Sequence, residues 1–240
     1  MFNTLVIIPT YNEKENIEAI VRAVFSQKKQ FDILVVDDSS PDGTSEIVRN
    51  LQKEFSNLFL EVRKEKNGLG TAYIHGFKWA IFKNYDYIIE MDADFSHNPD
   101  DLIQLYQACA EDGADFSVGS RYLNNKINVI NWDFKRLFLS YFASKYVRFI
   151  TRIPIYDTTA GFVCYKREVL ENIDLDKIKF VGYAFQIEMK FKAWKKKFKH
   201  KEVSIIFTDR KKGTSKMSGS IISEAVFGVI KMRFQDLLIK

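Results

Sequence analysis

The chain has 240 residues, 46% of them hydrophobic and 21 of them Phe, which suits one large α/β domain with a substantial core. Lys and Arg (36) outnumber Asp and Glu (31), and the formal net charge of +5 favours anionic partners: phosphates, nucleic acid or a membrane face. No apolar run reaches the roughly 20 residues of a membrane span, the first run stops at Pro9 without the basic flank of a signal peptide, and Cys109 and Cys164 show neither metal spacing nor a disulfide framework, which points to a reduced, cytosolic setting.

In chain order, β-branched runs at 4–8, 32–37, 58–63, 85–91 and 114–119 read as strands, with helical patterns between them at 15–26, 45–55, 70–83 and 99–111. The last of these helices has a strong start: Asn98 as cap, Pro99 with its pre-set φ, and Asp100 and Asp101 at the positive dipole end. This alternation predicts a mainly parallel central sheet with helices on both faces. Ligands of such sheets bind beyond the carboxyl ends of the strands, so 9–13, 37–43 and 92–97 should share one rim. Further on, 131–152 reads as a basic amphipathic helix, with Leu137, Tyr141, Phe142, Phe149 and Ile150 set against Arg136, Lys145, Arg148 and Arg152. Most of its apolar face is expected to pack onto the sheet. A second helix at 183–198 carries Ile187, Phe191, Trp194 and Phe198 on one face, and a last one is expected over 219–240. No internal repeat or linker divides the chain.

Asp92-Ala93-Asp94 is the sharpest motif. Residues i and i+2 of an extended segment point to one side, so both carboxylates can meet one hard divalent cation shared with substrate phosphates. Two calcium-loop look-alikes fail: the one beginning at Asp38 has Arg49 at its twelfth position, and the one beginning at Asp92 has His97 at its sixth and Ile103 at its twelfth. Gly68-Leu69-Gly70 lacks the third glycine of a dinucleotide fingerprint and reads as the opening of a helix. Of the three histidines, His75 and His200 read as surface residues, while His97 stands beside the acidic pair, within reach of a metal or phosphate. Lys195-Lys196-Lys197 reads as a solvated helix end, and 210–220, with Arg210, Lys211, Lys212 and Lys216 among small residues, as a mobile basic loop.

Several of these segments resemble one family. Val6–Glu13, Val35–Thr44, Gly68–Gly70, Met91–His97 and Gly119–Tyr122 are similar to family-2 inverting glycosyltransferases, most of all to those acting on dolichyl phosphate. Trp132, Arg136, Ser140, Gly182–Glu188, Asp209-Arg210, Gly213 and Ser215-Lys216 extend the likeness over nearly the whole chain. The resemblance implies a GT-A nucleotide-diphospho-sugar transferase fold in a single domain, with residues 1–122 binding nucleotide-sugar and metal and 123–240 forming the acceptor side. It implies that Pro9, Tyr11, Glu13, Val36 and Asp38 hold the nucleoside, Asp38 accepting a base N–H. It also implies that Asp92 and Asp94, next to Ala93, carry Mg²⁺ or Mn²⁺ on the diphosphate. Arg121, Arg136, Ser140, Arg210 and Lys216 would hold donor and acceptor phosphates, with Asp92, Asp94 and Arg210 in the catalytic roles. Some relatives place a metal-binding Gln where Ser96 stands, which makes Ser96 the third candidate ligand. The QxxRW signature of processive synthases is absent.

The activity so implied is transfer of a hexose, mannose from GDP-mannose, onto a dolichyl or polyprenyl phosphate at the cytoplasmic face of a membrane. The chain would dock there peripherally or through a small membrane-anchoring subunit. A UDP-glucose or UDP-N-acetylhexosamine donor is the alternative. A nucleic-acid-binding module fits the charge but leaves Asp92 and Asp94 without a role.

Overall fold

In the computed structural model, which describes residues 3–123, 127–209 and 228–234, a run of parallel crossovers opens the chain. The elements are β1 (Thr4–Thr10), α1 (Ile17–Phe25), β2 (Asp32–Asp37), α2 (Thr44–Leu51), β3 (Leu58–Val62), α3 (Leu69–Phe82) and β4 (Tyr87–Glu90). β1 pairs in parallel with β2 and β4, and β2 with β3. Alternation along β1 sends Leu5 and Ile7 into the apolar layer under α3, and Val6 and Ile8 into the layer under α1 and α2. A buried sheet covered on both faces follows from that two-sided apolar pattern.

A 3₁₀ turn (Pro99–Asp101) capped by the Asn98 side chain leads into α4 (Leu102–Ala110), as the sequence predicts. Then come β5 (Phe116–Ser120), β6 (Val129–Ile130), α5 (Phe134–Thr151), β7 (Val163–Lys166), α6 (Arg167–Asn172), α7 (Tyr183–Lys195), β8 (His200–Ser204) and β9 (Phe207–Thr208). The main sheet has the order β3-β2-β1-β4-β7-β5-β8, and β6 pairs with β9 apart from it. β7 runs antiparallel to β4 and β5, while β8 is parallel to β5. The sequence reading missed β7 and β8. The first is only four residues long, and the second, His-Lys-Glu-Val-Ser, looks like a charged run because it lies on the sheet's edge with its side chains half in water.

α5 corrects the expectation that its apolar face packs onto the sheet. α3, α6 and α7 already fill the layer over that part of the sheet, and α5 reaches it only through Val147, with Tyr146 and Ile150 beside it. Phe134 (77% exposed), Phe138 (53%), Phe142 (46%) and Phe149 (67%) stay uncovered among the described residues. α7 is instead buried nearly all round, including its charged Lys190. Of the last expected helix only 228–234 is described, with Val229 and Met232 buried.

The two glycines around Leu69 serve α3. Gly68 sits at φ +95°, in the left-handed region, and a Cβ on Gly70 would lie 2.8 Å from the Phe185 ring and 2.9 Å from the Phe180 carbonyl oxygen. Gly70→Ala should therefore lower stability by about 1–3 kcal/mol through overpacking. Urea denaturation checks it, and an unchanged midpoint would contradict this close approach of α3 to α7.

Candidate active site

The carboxyl ends of β1, β2, β4 and β5 meet the residues entering β7 on one rim. Asp37, wholly buried, ties it together: its carboxylate accepts from Thr10 Oγ1 (2.8 Å), Ser40 N (2.9 Å), Ser40 Oγ (2.6 Å) and Ser45 Oγ (2.7 Å). Neighbouring Asp38 receives a two-point contact from Arg63, Nε at 2.6 Å and Nη2 at 2.8 Å. Arg63 is braced in turn by Nη1 donating to Thr71 Oγ1 (2.8 Å). The Glu13 carboxylate accepts from Asn16 Nδ2 at 2.9 Å, and its backbone N–H donates to Thr44 Oγ1 at 3.1 Å. The Tyr11 ring carries the Lys66 ammonium 4.3 Å from its centroid. Pro9 is half-buried, and Val36 is wholly buried, its side chain in the layer under α3.

At the end of β4, Asp92 and Asp94 both line a cavity of about 350 Å³. Ser96 N donates to Asp94 Oδ1 at 3.0 Å and the Tyr73 hydroxyl to Asp92 Oδ1 at 3.4 Å. Ala93 between them is buried, and Phe95 takes a left-handed φ of +61° where the chain turns. His97 is packed between Phe162, stacked at 4.7 Å, and Phe207, edge-on at 5.6 Å. Its Nδ1 accepts from the Asp92 backbone N–H at 3.1 Å, so the ring is neutral with its proton on Nε2. Burial lowers its pKa to about 4. The histidine thus supports the acidic turn through Nδ1.

Two carboxylates, with Ser96 Oγ buried and without a hydrogen-bond partner among the described residues, form a hard oxygen set of the kind Mg²⁺ or Mn²⁺ accepts when phosphates and water complete the shell. No group of three His, Cys, Asp or Glu that could hold a metal ion converges among the described residues.

The same cavity is lined by two arginines. Arg121 is buried and its Nε and Nη2 reach Asp157 at 2.6 Å each, while Nη2 also donates to Thr159 Oγ1 at 2.8 Å. Burial alone would raise the Asp157 pKa, but the Arg121 charge and hydrogen bonds hold it below the usual carboxylate range. Arg136 pairs with Asp209 at 2.8 Å and lies over the Trp132 ring at 4.4 Å. Ser140 accepts from the Tyr122 hydroxyl at 2.8 Å. Arg121, Arg136, Ser140 and Trp132 share the cavity with Asp92 and Asp94, and the apolar flank of α5 lines it too, at Leu139, Phe142, Ala143 and Tyr146. Arg210 and Lys216 lie outside the described residues. Asp157 and Thr159 were missed by the sequence reading. Their one signal is the polar Asp-Thr-Thr before the apolar strand of β7.

A family model, glycosyl transferase family 2, matches residues 5–174. The chain is 47% identical over 227 residues to a polyprenol monophosphomannose synthase of Mycolicibacterium smegmatis, covering 94% of this chain and 85% of that protein. It is 40% identical over 227 residues to an undecaprenyl-phosphate mannosyltransferase of Micrococcus luteus, covering 95% and 92%. Among solved structures, glucosyl-3-phosphoglycerate synthase from Mycobacterium tuberculosis, with Mn²⁺, UDP and glucosyl-3-phosphoglycerate, superposes with a TM-score of 0.70 at 14% identity, over 98% of this chain and 79% of that one. The mannosyltransferase PcManGT from Pyrobaculum calidifontis, with GDP-Man and Mn²⁺, gives 0.63 at 18%, over 99% and 64%. At such identities the structural likeness speaks for the fold, which is of the GT-A type.

The low His97 pKa has a stability consequence. Between pH 6.5 and 4 an unfolded chain takes up a proton at this residue that the folded chain refuses, so stability falls as pH drops through that window, by roughly 3 kcal/mol at its lower end. Urea midpoints from pH 7 to 4 should fall less steeply in His97→Asn than in the parent. Parallel profiles would contradict the neutral, buried imidazole.

Proposed function

The chain belongs to glycosyl transferase family 2, and on that premise we propose that it transfers mannose from GDP-mannose, with Mg²⁺ or Mn²⁺, onto a dolichyl or polyprenyl phosphate at the cytoplasmic face of a membrane. The observation that carries this reading is one cavity lined both by the Asp92/Asp94 pair and by Arg121 and Arg136. The names of the two relatives, at 47% and 40% identity, support mannose as the sugar and a polyprenyl phosphate as the acceptor.

In this reading Pro9, Tyr11, Glu13 and Val36 frame the nucleoside, and Asp38, held in place by Arg63, accepts a base N–H. Asp92 and Asp94, with Ala93 between them and Ser96 Oγ as the third oxygen, are the metal ligands. A cation held there would supply positive charge to offset that growing on the departing diphosphate. Arg121, Arg136 and Ser140 orient the acceptor phosphate, and Arg210 and Lys216 hold the donor diphosphate. With a second pKa near 6, the acceptor phosphate is largely a dianion at neutral pH. Its oxygen forms a bond to the anomeric carbon as the bond from that carbon to the nucleoside diphosphate oxygen breaks. One displacement inverts the configuration and needs no protein base.

Asp94→Ala should reduce mannose transfer by orders of magnitude, measured with GDP-mannose, Mn²⁺ and a short polyprenyl phosphate, while thermal unfolding stays cooperative. Turnover near the parent's would end the metal assignment. If UDP-glucose or UDP-N-acetylhexosamine replaced GDP-mannose as the productive donor, the sugar assignment would fall and the reaction class would stand.

The exposed row Phe134, Phe138 and Phe142, with ring centroids 6.3 and 4.1 Å apart along α5, together with Lys135, Lys145, Arg148 and Arg152, supports docking on an anionic lipid surface. Each basic group near such a surface adds about 1 kcal/mol. Among the described residues no helix is long and apolar enough to cross a membrane. Phe138→Ser with Phe142→Ser should cut co-sedimentation with anionic liposomes severalfold in low salt. A parent that stays in the supernatant would instead point to a membrane-anchoring subunit.

A further inference from the structure

Among the described residues Lys190 is the wholly buried cationic side chain, on a helix, α7, that is covered nearly all round. Its Nζ donates to the backbone carbonyls of Ala160 (2.5 Å), Gln186 (3.1 Å) and Thr158 (3.4 Å), and to Gln186 Oε1 (3.4 Å). Two of these carbonyls belong to the turn that enters β7. That turn is also part of the cavity wall, through Thr159, Ala160 and Gly161. It carries Asp157 and Thr159, the two side chains that receive the Arg121 guanidinium. On its other side, Glu202 accepts from the backbone N–H groups of Tyr156 (2.8 Å) and Asp157 (3.0 Å).

We propose that Lys190 is a positioning residue for the acceptor-phosphate subsite: its buried ammonium, reaching from α7, clasps the 157–161 turn from within and so fixes the direction in which Arg121 faces the cavity. The inference rests on the acceptor reading above. A simpler role, filling space in the core, does not account for the chemistry. A buried ammonium is costly unless its donors are used, and here they are divided between two carbonyls of one short turn and Gln186 of its own helix, while an apolar chain of the same length would fill the space without that cost. Burial lowers the Lys190 pKa to about 8, and the charges of Glu90 and Asp157 oppose that fall. The turn is thus tied to α7 through the ammonium. Arg121 acts on the phosphate; Lys190 acts through Arg121.

The test compares the parent with Lys190→Met and with Glu90→Gln/Lys190→Met, which removes both buried titratable groups and so leaves no carboxyl behind to ionise. The expected result in the double variant is a KM for polyprenyl phosphate raised about tenfold, a KM for GDP-mannose within about twofold, and cooperative thermal unfolding. Backbone amide exchange at 157–161 should be faster by at least about tenfold, while the β1 and β2 amides keep their protection. A double variant with the parent's acceptor KM would overturn the proposal, as would a rise in both KM values together, which a general loss of structure produces. Should the parent prove unable to transfer mannose, the acceptor reading fails on its own. The exchange measurement then still decides on the clasp, and unchanged protection at 157–161 refutes it.

Discussion

Carboxylates crowd the carboxyl edge of this sheet. Asp37 and Asp38 close β2, Asp92 and Asp94 follow β4, and Asp157 stands beside the end of β5, so negative charge converges where several parallel strands end. The sequence handles these five groups in different ways. Asp37 is absorbed by hydroxyl and backbone donors of its own rim, and Asp38 and Asp157 each take a two-point arginine contact. The remaining two, Asp92 and Asp94, line the cavity, where Asp92 accepts from the Tyr73 hydroxyl and Asp94 from the Ser96 N–H. Carboxylates matched by arginine inside a protein are structural, because breaking one partner leaves a buried charge uncompensated. Carboxylates lining a cavity suit a cation that arrives with its substrate.

The same logic separates what the sequence disclosed from what it concealed. The first half is legible because each element carries a local signal: β-branched runs, Asn98-Pro99-Asp100 at a helix start, and an acidic pair at i and i+2 after an apolar strand. Asp92 and Asp94 were found that way, and both line the cavity. Asp157 and Lys190 were not, because their meaning lies in partners 36 and about 30 residues away in sequence. A lysine within an amphipathic pattern, flanked by Lys192 and Lys195, looks like a solvated residue until α7 is seen covered on nearly every side. β7 was missed for a related reason: four residues can be a strand in the middle of a sheet only when both neighbours supply the hydrogen bonds, and that is a tertiary fact.

α5 presents the opposite case. Its composition announced an amphipathic helix, and the helix is there, from Phe134 to Thr151. What composition did not reveal is the direction of the apolar residues, because a helix face reads identically whether it meets a sheet or a lipid surface. Val147 turns inward, whereas Phe134, Phe138 and Phe142 line up outward at i, i+4 and i+8. Phe142 also lines the cavity, so the apolar end of the site and the exposed aromatic row are continuous. An acceptor with a charged head and a long isoprenoid tail needs a path of this kind, polar at the reacting end and open to an apolar phase at the other.

The composition of the cavity wall bears on the acceptor's chemistry. An alcohol acceptor needs a protein base within hydrogen-bond reach. The acidic side chains lining the cavity among the described residues are Asp92, Asp94 and Asp209. The first two form the pair suited to a cation, and the third is matched to Arg136 at 2.8 Å. Glu90, two residues before Asp92 on β4, is wholly buried and does not line the cavity. Arg121 and Arg136 do line it, and arginine is the side chain whose planar fork matches phosphate. A nucleophile that arrives already ionised has no use for a base and every use for two guanidinium groups, one locked by Asp157 and the other paired with Asp209. The cavity lining is thus fitted to an acceptor that brings its own negative charge.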